Sequence, residues 1–287
     1  MTLRREWWIQ KGLWAATLTS VAAIFLLLFL LLYFSFPLLF SGDLKQLFSW
    51  RWSPFEGHYG ILPMMLGTLL LSILSTVMAF PAALGICAFI YIHRNSRLSR
   101  LLLLVVHVMT SIPTVIYGFV SVFILVPPMR RIFAAGAGFC LLTAALTLGL
   151  LILPTIVLVF HAYLTQAGGS LRAVSESLGL TPMEQFCFVM LPSASRGLVS
   201  ALILGFCRAV GDAMIPLMLA GNAAQIPASF LDSIRTLSAH VALVLATDSQ
   251  SMAYQSVFAS GLLLFVMIAM VTALAHHLNR NMLSRCR

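Results

Sequence analysis

Residues 170–192 read SLRAVSESLGLTPMEQFCFVMLP, the longest polar interruption in an otherwise lipid-like chain. Its local signals predict two short helices joined by an elbow. Thr181, Pro182 and Glu184 make a helix-start signature: a hydroxyl cap, proline at the first helical position, and an acid three residues after the cap. Gly179 stands where a preceding helix, beginning near Ser170, should stop, because glycine takes the left-handed conformation that ends helices. A capped polar segment between apolar runs offers a grip to something outside the membrane.

The flanking sequence sets the class. Of 287 residues, 61% are hydrophobic and only 9% charged, whereas soluble domains carry roughly 25% charged residues. The expected fold is all-α: a polytopic helical membrane protein with six transmembrane helices, over 13–36, 63–92, 101–126, 138–163, 197–220 and 252–278. Each run is near or above the roughly 20 residues that cross a bilayer. The first is longer than a signal-peptide core and lacks a small-residue cleavage site, so it is expected to be retained. Cysteines 87, 140, 187, 207 and 286 show no paired spacing, which argues against a disulfide framework.

The formal net charge of +9 follows from arginines that flank the apolar runs, a pattern of membrane topology and not of nucleic-acid binding. With both termini inside, the inner segments hold Arg4, Arg5, Lys11, Arg94, Arg97, Arg100, Arg172, Arg196, Arg280, Arg285 and Arg287. The outer loops hold Lys45, Arg51, Arg130, Arg131 and Arg235, beside the acids Asp43 and Glu56. The excess orients the chain N-in/C-in and puts the elbow in the cytoplasm. The chain divides into 1–62 (first helix and outer loop, with Trp50 and Trp52 suited to the interface), 63–279 (five-helix core with the elbow) and 280–287 (basic tail).

Four prolines fall inside the spans. Pro81, Pro113, Pro154 and Pro216 lack an N–H and so release the carbonyls of Val77, Met109, Leu150 and Asp212. Around Pro113 lie the hydroxyls of Thr110, Ser111 and Thr114, with Tyr117-Gly118 one turn on. A polar, kinked segment at membrane depth is tolerated where it lines a water-filled path. Thr114 and Tyr117 are therefore candidate pathway residues.

The stretch GFCRAVGDAMIP, 205–216, carries the only two charges of the fifth span, Arg208 and Asp212. Four residues apart on one helix, they would share a face about 6 Å apart along the axis. Intramembrane charges are costly unless they face a polar interior. Either the pair neutralises itself, or Arg208 is an anion ligand on a substrate path, its guanidinium offering a two-pronged fork to an oxyanion.

The histidines show no metal-ligand spacing, and no G-x-x-x-x-G-K-[ST] motif occurs. No metal or cofactor is expected on this chain, and any ATP, with its Mg²⁺, belongs to a partner subunit. No nucleophile–base pair or metal motif supports an integral membrane enzyme.

At this point the chain resembles the permease subunits of ATP-binding-cassette importers. Gly179 is followed at the family's interval by Val189-Met190-Leu191-Pro192, although Ala173 stands where the family has Glu. The resemblance implies a type I importer permease fold in a bacterial inner membrane. It also implies an elbow that docks on an ATPase dimer through Glu176, Gly179, Leu180, Thr181, Glu184, Leu191 and Pro192.

Residues 55–72 (FEGHYGILPMMLGTLLLS), 111–120 (SIPTVIYGFV) and 208–222 (RAVGDAMIPLMLAGN) narrow the resemblance to the phosphate-specific (Pst) permeases of the PstC type. The last stretch departs from the family's R-A-x-G-E-T-M by Asp212 and Ala213. That resemblance implies inorganic phosphate as cargo, moved by alternating access, with a second homologous permease and an external phosphate-binding protein as partners. Phosphate keeps a proton at neutral pH and can donate it to an acceptor-only carboxylate such as Asp212, which sulfate cannot. Asp212 is further expected to hold Arg208 when the site is empty. Sulfate or molybdate, another solute, and an ATP-independent channel are the alternatives.

Overall fold

The computed structural model describes residues 2–40, 48–133, 138–245 and 252–284. Asp43 and Lys45 of the outer loop, and Arg285, Cys286 and Arg287 of the tail, lie outside the described residues. The chain is helical, in keeping with its composition. Helix α1 is Thr2–Phe40, followed by a two-stranded hairpin, β1 (Trp52–Ser53) and β2 (His58–Tyr59). Next come α2 (Leu62–Ile92), α3 (Arg97–Ser111), α4 (Thr114–Ile124), α5 (Val126–Phe133) and α6 (Leu141–Ser177). The elbow holds α7 (Pro182–Glu184), a π-helical stretch over Gln185–Met190, and α8 (Leu191–Ser193). Then follow α9 (Ser195–Gly211), α10 (Met214–Leu219), α11 (Leu237–Leu245) and α12 (Met252–Ser284).

Among the described residues five helices are long and apolar enough to cross a membrane: Ile9–Phe36, Leu62–Ile92, Thr114–Phe133, Leu141–Gly168 and Ser256–Leu274. A sixth is reached if Pro182–Ser193 and Ser195–Gly211, bent by 72°, form one broken span.

Helix α6 organises the bundle. Leu148, Ile152, Ile156 and Phe160, four residues apart, form one fully buried stripe, against which α2 and α9 pack most extensively. Helix α1 packs on α12. Its Leu13, Trp14, Phe25 and Phe29 are exposed in the isolated chain, as suits a helix bathed in lipid.

Three expectations change. The third span is not a single run over 101–126. Ile112, before Pro113, adopts ψ 125, because the proline ring disfavours helical geometry in its predecessor. The apolar span then moves to Thr114–Phe133. Nor does a separate helix begin near Ser170: α6 runs unbroken for 37 residues to Ser177. Gly168 and Gly169 weaken a helix by about 1 kcal/mol each without ending it. The fifth span, expected over 197–220, divides into α9 and α10. The polar connection after it also contains α11, so it is not all loop.

Candidate functional site

The substrate-path candidates lie at two helix breaks. At the first, Pro113 precedes α4 and cannot donate to the Met109 carbonyl, which keeps only a long 3.4 Å bond from the Ile112 N–H. The Tyr117 hydroxyl adds a stronger partner, donating to Met109 O at 2.9 Å. Tyr117 is buried and Thr114 half-buried. At the second break, Gly211 ends α9 and Asp212 takes φ −74, ψ 128. Ser238, at the start of α11, donates its hydroxyl to the freed Asp212 carbonyl at 2.8 Å.

Arg208 and Asp212 therefore do not share a helix face. Asp212 Oδ2 accepts from the Ile215 N–H at 2.9 Å, so the side chain caps α10 and competes with helix continuation. The break also places Pro216 third in α10, within the first turn, where no backbone donor is required. Among the described residues Arg208 forms neither an ion pair nor a hydrogen bond, so the expected Arg208–Asp212 clasp is absent. Arg208 is exposed and lies within electrostatic range of both Asp212 and Tyr117. An uncompensated guanidinium beside two helix breaks can bind an oxyanion.

The motif stretches seen in the sequence meet here. Gly118 of α4 packs on Met218 of α10: a Cβ there would lie 2.7 Å from Met218 Sδ, so a larger residue would have to displace that side chain. Thr68 of α2 accepts the Leu237 N–H at 2.9 Å, tying residues 55–72 to the start of α11. Asn222 donates to Leu217 O at 2.7 Å, and Arg235 Nε donates to Asn222 O at 2.8 Å. Ser238 went unnoticed in the sequence, and Arg235 and Asn222 stood there only as a loop charge and the end of a motif, since their partners are set by tertiary contact.

The elbow follows its local signals closely. Gly179 has φ +77, and its N–H reaches Glu176 O at 3.1 Å while Leu180 N–H reaches Ser175 O at 3.2 Å. These two bonds complete a Schellman stop. Thr181 N–H donates to Glu184 Oε2 at 2.8 Å and Glu184 N–H to Thr181 Oγ1 at 3.4 Å, a complete capping box. Hydrogen bonds from the Thr181 side chain and backbone hold the Glu184 carboxyl below its ordinary pKa. Glu176 Oε1 pairs with Arg172 Nε at 2.7 Å.

Gln185, unnoticed in the sequence, is buried and donates to Leu180 O at 2.9 Å. Downstream, Pro192 cannot serve the Phe188 carbonyl, and the π-helical widening over Gln185–Met190 relieves the clash. That turn divides its side chains. Phe186 and Met190 are buried in the bundle, while Leu178, Met183 and Phe188 are 72%, 57% and 75% exposed. Leu180 and Leu191 are half-buried; Pro192 is exposed. The elbow is thus anchored inward and presents an apolar outer face. Among the described residues no group of three or more His, Cys, Asp or Glu is placed to hold a metal.

Known proteins resemble this chain in sequence and in fold. Residues 81–284 match the family described as binding-protein-dependent transport system inner membrane component. The chain is 30% identical to the probable ABC transporter permease protein YqgH of Bacillus subtilis, covering 83% of this chain and 78% of that one. It is 27% identical to the phosphate transport system permease protein PstC of Pasteurella multocida, covering 79% and 78%. The fold is similar to that of the inward-facing MetNI methionine ABC transporter, with TM-score 0.62 and 19% identity over 80% of this chain and 99% of that one. It is also similar to a bacterial ABC transporter importing alginate, with TM-score 0.61 and 15% identity over 96% and 99%. The chain therefore belongs to the binding-protein-dependent transport system inner membrane components, the multi-pass permease subunits of ABC importers.

Proposed function

We propose that this permease imports inorganic phosphate. The observation that carries this reading is the unpaired Arg208 guanidinium beside the 211–213 break, with the Asp212 carboxylate close enough to feel its charge. Asp212 Oδ2 is committed to Ile215, and Oδ1 accepts no hydrogen bond among the described residues. A protonated phosphate can satisfy both groups, its anionic oxygens on Arg208 and its hydroxyl donated to Asp212. Sulfate meets only repulsion at the carboxylate. The PstC-named relatives support the same cargo.

The cycle is alternating access. An external phosphate-binding protein docks on the outer side, and ATP with Mg²⁺ binds a separate ATPase pair. The exposed Leu178, Met183 and Phe188 face docks on that pair; apolar patches of this kind mark protein contacts. Phe186 and Met190 then carry the movement into the helices. A second, homologous permease completes the path. Because the two breaks are joined by the Gly118–Met218 contact, α4 and α10 move together and expose Arg208 to one side at a time.

The test is ATP hydrolysis by the reconstituted complex with its binding protein. Stimulation by phosphate and not by sulfate or molybdate is expected. Equal stimulation by sulfate would assign a different oxyanion, and anion flux without ATP would assign a channel.

A further inference from the structure

We propose that the cleft between the elbow-side ends of α2, α3 and α6 binds the headgroup phosphate of an anionic phospholipid. The cleft is a cavity of about 450 Å³, into which Arg94, Arg100 and Arg172 converge with His161, Tyr91 and Leu103. Arg94 and Arg100 flank the turn between α2 and α3, and the packing of α6 brings Arg172 to them, so the fold completes the cluster. Arg94 and Arg172 also border the adjoining depression, together with Glu176. That acid is taken by Arg172, Nε to Oε1 at 2.7 Å. Among the described residues Arg94 and Arg100 have no acidic partner, leaving two guanidiniums for an anion. Arginine forks match phosphate oxygens in pairs.

Two features favour an amphiphile over a free anion. The walls between the cations are apolar, with Ile90, Leu103 and Leu164 lining the same cavity. Beside it, Leu98, Leu101 and Leu104 of α3 are exposed, a track for acyl chains leading away from the charged end. The cleft lies at the elbow side, the arginine-rich end that topology puts at the inner leaflet, where anionic lipids concentrate. Basic pockets between helices at this level take lipid headgroups.

The site touches the coupling machinery. The Tyr91 ring lies 5.6 Å from the Arg172 guanidinium and 5.7 Å from the Phe186 ring, which anchors the elbow. A bound headgroup therefore steadies the end of α6 that leads into the elbow.

The test titrates the delipidated, assembled complex in detergent with short-chain phosphatidylglycerol, with phosphatidylcholine, or with inorganic phosphate, and follows binding by native mass spectrometry. Saturable phosphatidylglycerol binding is expected, weakened about tenfold or more in Arg94→Gln/Arg100→Gln. Arg97→Gln, on the same helix outside the cavity, should leave it unchanged, and Arg94→Lys/Arg100→Lys should keep part of it. Equal loss in Arg97→Gln, equal binding of phosphatidylcholine, or occupancy by inorganic phosphate without phosphatidylglycerol would overturn the assignment. The readout is binding alone and does not depend on which solute is transported.

Discussion

The Tyr117 hydroxyl donates to the Met109 carbonyl at 2.9 Å, reinforcing the long Ile112 N–H bond that remains where Pro113 interrupts the backbone ladder. Ser238 does the same for Asp212, at 2.8 Å, on the far side of the Gly118–Met218 contact. Each break in the candidate path is thus stabilised by one hydroxyl from another turn or another helix. Such a bond can be exchanged during a conformational change without unravelling a helix.

Tyr117→Phe keeps the ring and removes the donor. The half-buried Met109 carbonyl is left with only the 3.4 Å bond from the Ile112 N–H; losing a hydrogen bond of this kind costs about 0.5–1.5 kcal/mol, so the melting midpoint of the complex should fall. An unchanged midpoint would show that water replaces the hydroxyl.

Asp212 combines a cap with a charge, and two substitutions separate them. Asn caps as well as Asp, so Asp212→Asn should keep stability, whereas Asp212→Ala should lose about 0.5–2 kcal/mol. If the carboxylate also selects a protonated oxyanion, Asp212→Asn should gain sulfate uptake relative to phosphate. Stability that falls equally in both variants would refute the capping role.

Phe188 is three-quarters exposed at 75%, so Phe188→Asp should leave the permease's thermal stability within about 0.5 kcal/mol. Co-purification of the ATPase should nonetheless be lost. Undiminished ATPase retention would remove this apolar face from the coupling interface.

Burial pushes the His240 pKa down to about 3, with the Arg235 charge adding to the effect. Its ring sits against Trp52 at 4.4 Å and bonds Ser256 Oγ at 3.2 Å. Below the unfolded value near 6.5 the unfolded chain takes a proton that the folded one refuses, so stability falls with pH. The loss at pH 5 is on the order of 2 kcal/mol. The drop in melting midpoint from pH 7 to pH 5 should shrink in His240→Gln; an equal drop would place the acid sensitivity elsewhere.

The elbow was legible in sequence because caps are local: the Thr181–Glu184 box and the Gly179 stop depend on neighbours within a few residues. The proline positions likewise revealed which carbonyls, Met109 and Asp212, would need new partners. They could not identify the partners, since Tyr117 lies eight residues on and Ser238 lies 26 residues away across a turn of the fold. The Arg208–Asp212 spacing misled, because helix continuation through Gly211 competes with Asp212 capping the next helix, and the cap wins. The cation cleft was partly hidden: Arg94 and Arg100 stand six residues apart, but only packing brings Arg172 to them.

The proposed phosphate path turns on Arg208. Its most direct test is ATP-dependent uptake of labelled phosphate by proteoliposomes carrying the full complex, with wild-type permease or Arg208→Ala, assembly being checked by ATPase retention. Phosphate uptake by the wild type is expected, with at least a tenfold loss in the variant, from removal of a charge-assisted contact of about 1.5–3 kcal/mol, while the ATPase stays bound. Full phosphate uptake by Arg208→Ala would rule out Arg208 as the anion ligand.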